Sequence, residues 1–212
     1  MILYGAPVSP YVRKVLAYAA ERGIDIQLIP VGIGDTNPDF VAASPFKKMP
    51  ALTDGDFSIS DSSAIIAYLE AKFPEGRLIP ADPRDHARSI WYDEFADTIF
   101  TSAAGKIFFN RVVSPKFLGR PGDEDAAKAG EAEILPLFTY LESVMPDCGY
   151  LVGGAFSFAD IAVASPFVNA GHCGVSPDAV TYPKLVAYLA NIHARPSFAT
   201  WIGRERKMLG LG

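Results

Sequence analysis

Three short polar stretches near the amino terminus hold residue types that could do chemistry. Ser9 stands in "VSPYV", Pro50 follows "KKM", and Asp61 with Ser62 opens the helix-like "SDSSAI". A serine or aspartate directly before a helix can cap it. The start of a helix can also bind an anion, because free N–H groups and the helix dipole point there. These stretches therefore predict structural caps, a site for an anionic ligand, or both.

Ser9 could in principle act as a nucleophile, but a serine nucleophile needs a neighbouring base. The three histidines are His86, His172 and His193, which all lie in the second part of the chain. No motif connects any of them with Ser9. We therefore interpret Ser9 as a cap or as a hydrogen-bond donor.

The first 75 or so residues alternate strand and helix signals. "MILYG" and "IDIQLIPVG" are typical of strands, and between them "PYVRKVLAYAAERG" has apolar residues at helical spacing. A short helix at most follows in "DTNPDFVAASP", then a hairpin in "MPALTDGDFSIS" and a helix in "DSSAIIAYLEAKFP". The order β-α-β-α-β-β-α predicts a small α/β domain over residues 1–76. It places Ser9 at the start of the first helix and Asp61–Ser62 at the start of the last.

The pattern changes after "PEGRLIPADP", whose prolines and glycine predict a linker at 77–83. Beyond it we find signals only for helices, which predict an all-helical domain over 84–212. The first of these helices is long, and we expect a kink in it near Gly105. A later helix begins with a capping-box-like "SFAD", so we interpret Asp160 as a residue that stabilises the helix start rather than a catalytic one.

The composition excludes several classes of function. The formal net charge of −5 gives little support for nucleic-acid binding. Cys148 and Cys173 are isolated, which predicts neither a disulfide framework nor a zinc site. No apolar run is long enough to span a membrane, and "MILYGAPVSP" lacks the pattern of a signal peptide. We predict a cytoplasmic protein that binds no metal, no nucleic acid and no membrane.

Four motifs, in order along nearly the whole chain, resemble those of cytosolic glutathione transferases. "SPYVRKV" resembles the active-site motif of the serine-type, bacterial-like classes, and "SPFKKMPAL" resembles N-P-x-G-K-V-P-x-L. "SDSSAI" resembles E-S-x-A-I, and "SFADIAVAS" resembles S-x-x-D-I. Ser44, Lys47 and Asp61 depart from the usual Asn, Gly and Glu. The resemblance implies a thioredoxin-like amino-terminal domain followed by an all-helical domain.

The resemblance implies that glutathione binds as co-substrate to the first domain. Pro50 is then expected to be cis, which would leave the N–H and C=O of Met49 to pair with the cysteinyl unit. Ser62 would hold the γ-glutamyl carboxylate, and Asp61 would face the neighbouring ammonium. Lys48 could pair with the carboxylate of the glycine end, with the preceding lysine as a weaker candidate.

Glutaredoxins share this fold and have C-P-Y-C where this chain has Ser9-Pro10-Tyr11-Val12. Both sulfurs are absent, so the resemblance implies that the reactive thiol comes from glutathione. The start of a helix and the Ser9 hydroxyl would both lower the pKa of that thiol, which is ordinarily about 8.5. Tyr4, near the end of the first strand, and Tyr11 are rival hydroxyl donors.

The electrophile is expected to be small and apolar and to bind between the domains. The long helix offers candidates for that pocket in Tyr92, Phe100, Phe108, Phe109 and Arg111, although most such aromatics belong to a core or a subunit contact. The resemblance also implies a homodimer and a role in detoxification. Two alternatives remain open, namely a non-catalytic binding or regulatory protein on this fold and a glutathione-dependent peroxidase or reductase.

Overall fold

A computed structural model describes residues 1–211, so Gly212, the last residue of the predicted helical domain, lies outside the described residues. The amino-terminal part contains one sheet of four short strands: β1 (Ile2–Tyr4), β2 (Gln27–Ile29), β3 (Ala51–Asp54) and β4 (Phe57–Ser60). The strands lie in the order β2-β1-β3-β4. β1 is parallel to β2 and antiparallel to β3, which pairs with β4 as a hairpin.

Three helices complete this first domain: α1 (Pro10–Glu21), α2 (Pro38–Ala43) and α3 (Ser62–Lys72). α1 begins with a proline, whose fixed φ suits the first turn and whose missing N–H is not needed there. Its apolar face, which includes Val12 and Val15, packs with Leu3 and Leu52 of the sheet. The predicted order of strands and helices is confirmed.

The rest of the described chain is helical: α4 (Pro83–Glu94), α5 (Thr101–Phe108), α6 (Glu124–Val144), α7 (Phe158–His172), α8 (Pro183–His193) and α9 (Pro196–Leu209). α7 is buried along almost its whole length and packs against α1, α4 and α5. The apolar core runs without a break from the sheet into the helices. Among the helices of residues 1–211, none combines the length and apolarity that a membrane span requires.

The long helix predicted after the linker is interrupted in a different way from the one expected. Gly105 itself lies inside the regular segment α5, so the backbone at that residue is α-helical. Wider π-helical segments flank α5 instead, at Phe95–Phe100 and Phe109–Phe117. Directly after the first of these segments, the hydroxyl of Thr101 donates to the carbonyl of Ala96, five residues earlier, at 2.7 Å.

Asp160 holds the start of α7, as its position in the sequence predicts. Its carboxylate accepts hydrogen bonds from the backbone N–H of Ser157 at 2.8 Å and of Leu151 at 2.9 Å. The side chain is fully buried, and burial raises its pKa to about 6. Asp160 therefore satisfies backbone donors in the core and lies away from solvent.

Candidate active site

A cavity of about 600 Å³ opens between the sheet domain and the helical domain. Ser9 and Tyr11 line it from α1, while Lys48 and Met49 line it from the loop before β3. Its opposite wall is apolar and consists mainly of Ala104, Phe108, Phe109, Val113 and Phe117. The fold thus brings four of the predicted site residues to the mouth of an apolar cavity.

Ser9 occupies the cap position of α1 without using its side chain as a cap. Its carbonyl accepts the first helical hydrogen bond, from the N–H of Arg13 at 2.9 Å. Its hydroxyl, however, makes no capping hydrogen bond to the helix. The hydroxyl and the start of α1 therefore both remain available to an anion in the cavity.

The two rival tyrosines are placed differently. Tyr4 is 4% exposed and packs in a separate apolar cluster, with its ring centroid 6.3 Å from that of Phe40. It is not part of the cavity wall. Tyr11 does line the cavity, but its hydroxyl donates to the carbonyl of Asp97 at 3.1 Å. Burial, and then the nearby Asp97 carboxylate, raise the pKa of Tyr11 above its usual value.

The peptide bond between Met49 and Pro50 is cis, as expected from the sequence. Within residues 1–211, neither the N–H nor the C=O of Met49 has a backbone hydrogen-bond partner. The loop before it is braced by Ser44, whose buried hydroxyl donates to the carbonyl of Lys48 at 2.7 Å and accepts from its N–H at 3.0 Å. The chain therefore presents an unpaired peptide edge at the cavity.

Asp61 and Ser62 form the start of α3. Asp61 is the cap residue, and its Oδ1 accepts from the N–H groups of Ser63 at 2.9 Å and Ala64 at 3.0 Å. Its φ of 88° is unusual for a residue other than glycine. The Asp61 N–H donates to the carbonyl of Pro50 at 3.3 Å, which links this helix start to the cis peptide. The two predicted binding segments are thus adjacent.

A buried group of charges that the sequence analysis missed lies directly behind Ser62. The ammonium of Lys14 contacts carboxylate oxygens of Asp93 and Asp97, each at 2.6 Å. The hydroxyl of Ser62 donates to Asp97 at 3.5 Å, and that of Ser63 donates to Asp93 at 2.6 Å. Burial raises the pKa of Asp97 to about 6. A negative charge therefore lies next to the start of α3.

This group carried no usable signal in the sequence. Lys14 lies on a predicted helix, and lysine side chains are ordinarily exposed to solvent. Asp97 lies within a helical stretch that is rich in aromatic residues. They are 83 positions apart and meet only when the two domains pack together. The arrangement can hold a ligand with both charges at one end, because the N–H of Ser62, at the positive end of the α3 dipole, and the Asp97 carboxylate are adjacent.

Two family models match the chain in succession. The amino-terminal domain of glutathione S-transferases matches residues 3–77, and the carboxy-terminal domain of the same family matches residues 100–196. A glutathione S-transferase of Hyoscyamus muticus is 31% identical over 94% of this chain and 96% of its own length. The chain belongs to the glutathione S-transferase family. The identification made from the sequence is confirmed.

Solved structures of this family have the same fold. A glutathione S-transferase from Rhodospirillum rubrum F11 superposes with a TM-score of 0.86 at 24% identity, over 94% of this chain and 90% of its own. A glutathione S-transferase-I that was solved with bound lactoylglutathione has a TM-score of 0.83 at 24% identity, over 95% and 98%. The predicted thioredoxin-like domain with an all-helical second domain is confirmed.

The aromatic residues named for the electrophile pocket divide between cavity and core. Phe108 and Phe109 line the cavity. Phe100 is fully buried, with its ring centroid 4.2 Å from that of Phe167, and Tyr92 is 8% exposed. Arg111 pairs with Glu124 and Glu131 at 2.5 Å each and does not line the cavity.

Proposed function

We propose that this member of the glutathione S-transferase family conjugates glutathione to small apolar electrophiles, with Ser9 as the hydroxyl that stabilises the thiolate. One observation carries the proposal. The Ser9 hydroxyl lies at the start of α1 on the cavity wall and makes no capping bond to the helix. Of the three candidate hydroxyls, it is the one that lines the cavity and has no hydrogen-bond partner among residues 1–211.

The first domain offers complementary groups for each part of glutathione. In this proposal the peptide edge of Met49, next to cis Pro50, pairs with the cysteinyl unit as an added strand would. The Ser62 N–H and the start of α3 hold the γ-glutamyl carboxylate. Asp61 faces the ammonium of that group. Lys48 pairs with the glycine carboxylate, and Lys47 also lines the cavity.

The thiol is activated by electrostatics rather than by a base on the protein. Only a few per cent of a thiol with a pKa of about 8.5 is ionised at neutral pH. The dipole of α1 and a hydrogen bond from Ser9 both favour the anion, and about 1.4 kcal/mol of such preference lowers the pKa by one unit. The proton leaves to solvent, and no metal takes part.

The thiolate sulfur then attacks the electrophilic carbon. With an aryl halide a carbon–sulfur bond forms and the halide leaves with its electron pair, which yields a thioether. The apolar wall of Phe108, Phe109 and Phe117 suits an apolar substrate, since it excludes water and adds contact area. A role in detoxification follows from this broad chemistry and is part of the proposal.

We also propose that the protein is a homodimer that acts in the cytoplasm. Phe46 is 85% exposed in a single chain, which is unusual for a large apolar side chain and fits burial in a subunit interface. Cys148 and Cys173 both carry free thiols, which is compatible with a reducing compartment.

The test combines glutathione affinity with turnover of an aryl halide. We expect the wild-type protein to bind immobilised glutathione and to form the thioether. Ser9→Ala should keep glutathione affinity within about threefold and lower kcat/KM by about tenfold to a hundredfold, because the lost hydrogen bond acts mainly on the thiolate. The pH at which half of the bound thiol is ionised should rise in the same variant.

The tyrosines provide the matched controls. Tyr4→Phe and Tyr11→Phe each remove one hydroxyl and should leave the pH midpoint of thiolate formation unchanged. A shifted midpoint in either variant, with an unshifted one in Ser9→Ala, would transfer the role to that tyrosine. Retention of glutathione without any turnover would instead support the non-catalytic binding protein.

A further inference from the structure

Two polar side chains of α7 reach across from the helical domain to the backbone on either side of Ser9. The Asn169 side-chain N–H donates to the carbonyl of Val8 at 2.8 Å. The Ser165 hydroxyl donates to the carbonyl of Pro10 at 2.6 Å. Both residues are almost completely buried, at 3% and 1% exposed. Ser9 therefore lies between two backbone carbonyls that accept hydrogen bonds from the helical domain.

Arg13 of α1 contacts both of these α7 residues. Its Nη1 donates to the backbone carbonyl of Ser165 at 2.7 Å and to Oδ1 of Asn169 at 3.0 Å. Its Nε and Nη2 bond to the two carboxylate oxygens of Glu205 in α9, at 2.8 Å and 2.6 Å. Arg13 and Glu205 are both fully buried. A bidentate pair of this kind adds geometric specificity, and through it Arg13 is oriented to hold Oδ1 of Asn169.

We propose that Ser165 and Asn169 are positioning residues for the Ser9 hydroxyl, so that the helical domain sets how strongly the thiol is activated. This inference rests on the proposed function, in which Ser9 donates to the thiolate. Asn169 lines the cavity and Ser165 does not, but in this scheme neither residue touches the sulfur or the electrophilic carbon. They act on the reaction by fixing the backbone that carries Ser9.

The physical reason lies in the steep dependence of a hydrogen bond on its geometry. An O–H donor must lie within about 3 Å of its acceptor and point at it, and the bond weakens quickly outside that range. Val8 precedes the helix, so its carbonyl depends on Asn169 rather than on the helical ladder. Loss of the Asn169 donor leaves the Val8 carbonyl without this bond, and loss of the Ser165 donor removes the tie between the domains at Pro10. A small shift of a catalytic group lowers the rate strongly.

The principal test uses Ser165→Ala, which removes the hydroxyl and its 3.5 Å contact with Arg13 Nη1 but keeps the backbone carbonyl that Arg13 contacts at 2.7 Å. Thiolate absorbance of the glutathione complex as a function of pH gives the midpoint of thiol ionisation. We expect this midpoint to rise and kcat/KM below it to fall by about threefold to tenfold, the worth of one ordinary hydrogen bond. Ser165→Thr keeps a hydroxyl at the same place and should restore the midpoint. Asn169→Ala should shift it in the same direction as Ser165→Ala.

A matched control exists at the opposite end of α1. The hydroxyl of Ser197, also from the helical domain, donates to Glu21 at the last residue of α1, at 2.5 Å. Ser197→Ala should lower the thermal midpoint of unfolding and leave the midpoint of thiol ionisation unchanged. If Ser165→Ala and Asn169→Ala behave like this control, their role is only structural and the inference is overturned.

A double variant separates this inference from the proposed function. If Ser165 acts through Ser9, then adding Ser165→Ala to Ser9→Ala should cause no further shift in thiol ionisation. Fully additive shifts would show that Ser165 acts on the thiol by another route and would overturn the inference alone. An unshifted midpoint in the single variant Ser9→Ala would overturn both the proposed role of Ser9 and this inference.

Discussion

The Ser9 hydroxyl occupies a position at which serine ordinarily bonds to the helix that it begins. Here Pro10 takes the first helical position, and the hydroxyl makes no bond to the N–H groups of the first turn. An N-cap bond is worth about 1 kcal/mol to a helix, so leaving it unmade is a real cost. The consequence is that the helix start and the hydroxyl can both bind the same anion. Packing of α1 against α7 supplies the stability that the cap does not.

We expect Asp97 to make glutathione binding dependent on pH. Burial raises its pKa to about 6, so its carboxylate is charged above that pH and neutral below it. The charge lies next to Ser62 and favours the ammonium of the γ-glutamyl group. We therefore expect affinity for glutathione to fall as the pH drops through about 6. Calorimetric titration from about pH 5 to about pH 8 measures this dependence.

The Asp97→Asn variant should weaken glutathione binding by about tenfold near neutral pH, the effect of one lost charge contact, and should lack the inflection near pH 6. It also leaves the buried ammonium of Lys14 with Asp93 as its remaining carboxylate, so its thermal midpoint should fall. Asp125→Asn, at an exposed position of α6, serves as the control. An inflection near pH 6 that survives in Asp97→Asn would assign the titration to another group.

At the scale of helices and strands, the predictable part of the site is the part that lies at the start of an element. Ser9 and Asp61 each precede an apolar helical pattern, and Pro50 directly precedes a strand, so local sequence was enough to select them as candidates. Asn169 could not be found in this way. Its partner Val8 lies 161 positions away, and an asparagine inside a helix has no local pattern that indicates a long-range bond.

The difference between local patterns and long-range contacts also explains why the sequence did not predict the irregular segments of the long helix. Apolar periodicity predicts a regular helix and allows for a break at a flexible residue such as Gly105. The π-helical segments at Phe95–Phe100 and Phe109–Phe117 instead rotate the faces that pack on α6 and α7. Such a change of helical pitch is decided by packing between elements, and a 3.6-residue pattern does not report it.

Gly105 of α5 lines the cavity that we propose takes the electrophile. Thr101, Ala104, Gly105 and Phe108 line the cavity at helical spacing. A Cβ at Gly105 would meet nothing closer than the Thr101 Cγ2, at 4.0 Å, so the first atom of a side chain fits there without a clash. Gly105→Leu should therefore fill cavity space. We expect it to lower kcat/KM about tenfold for a bulky electrophile but to change a small one little, with helix stability unchanged or increased.

Ser102→Leu is the matched control for this prediction, because Ser102 is an exposed residue of the same helix and does not line the cavity. It introduces the same side chain and should leave the ratio of kcat/KM for the two electrophiles unchanged. Equal losses for the bulky and the small electrophile in Gly105→Leu would mean that the substitution disturbs glutathione rather than the electrophile. The glutathione affinity of both variants, measured separately, decides between these cases.

At the scale of the whole molecule, the helical domain contributes to both halves of the site. It supplies the apolar wall of the cavity, and Asp97 at the start of α3 also comes from it. Arg13 and Lys14 of α1 are both fully buried and both paired with carboxylates of that domain. Removing one partner of a buried pair is strongly destabilising. We therefore regard the two domains as one cooperative unit rather than two independent modules.

Surface exposure in the single chain supports the proposed homodimer. Phe46, in the loop between α2 and β3, is 85% exposed, although the same loop carries Lys48 and Met49, which we propose bind glutathione. Trp91 of α4 is 47% exposed and belongs to a cluster of aromatic rings with Phe95 and Tyr140. An apolar residue on each domain fits the expected arrangement, in which the first domain of one chain meets the second domain of the other.

Phe46→Ser should therefore shift the protein from dimer towards monomer. Burial of a phenylalanine contributes about 2 kcal/mol per side chain, and two symmetric copies would weaken the dimer by roughly a thousandfold. Sedimentation over a range of protein concentrations measures the dissociation constant of the dimer.

Val180→Ser is the control, since Val180 is 93% exposed in the loop before α8. Because Phe46 lies four residues before Pro50, glutathione affinity should fall together with dimerisation. A dimer as stable in Phe46→Ser as in Val180→Ser would exclude Phe46 from the interface.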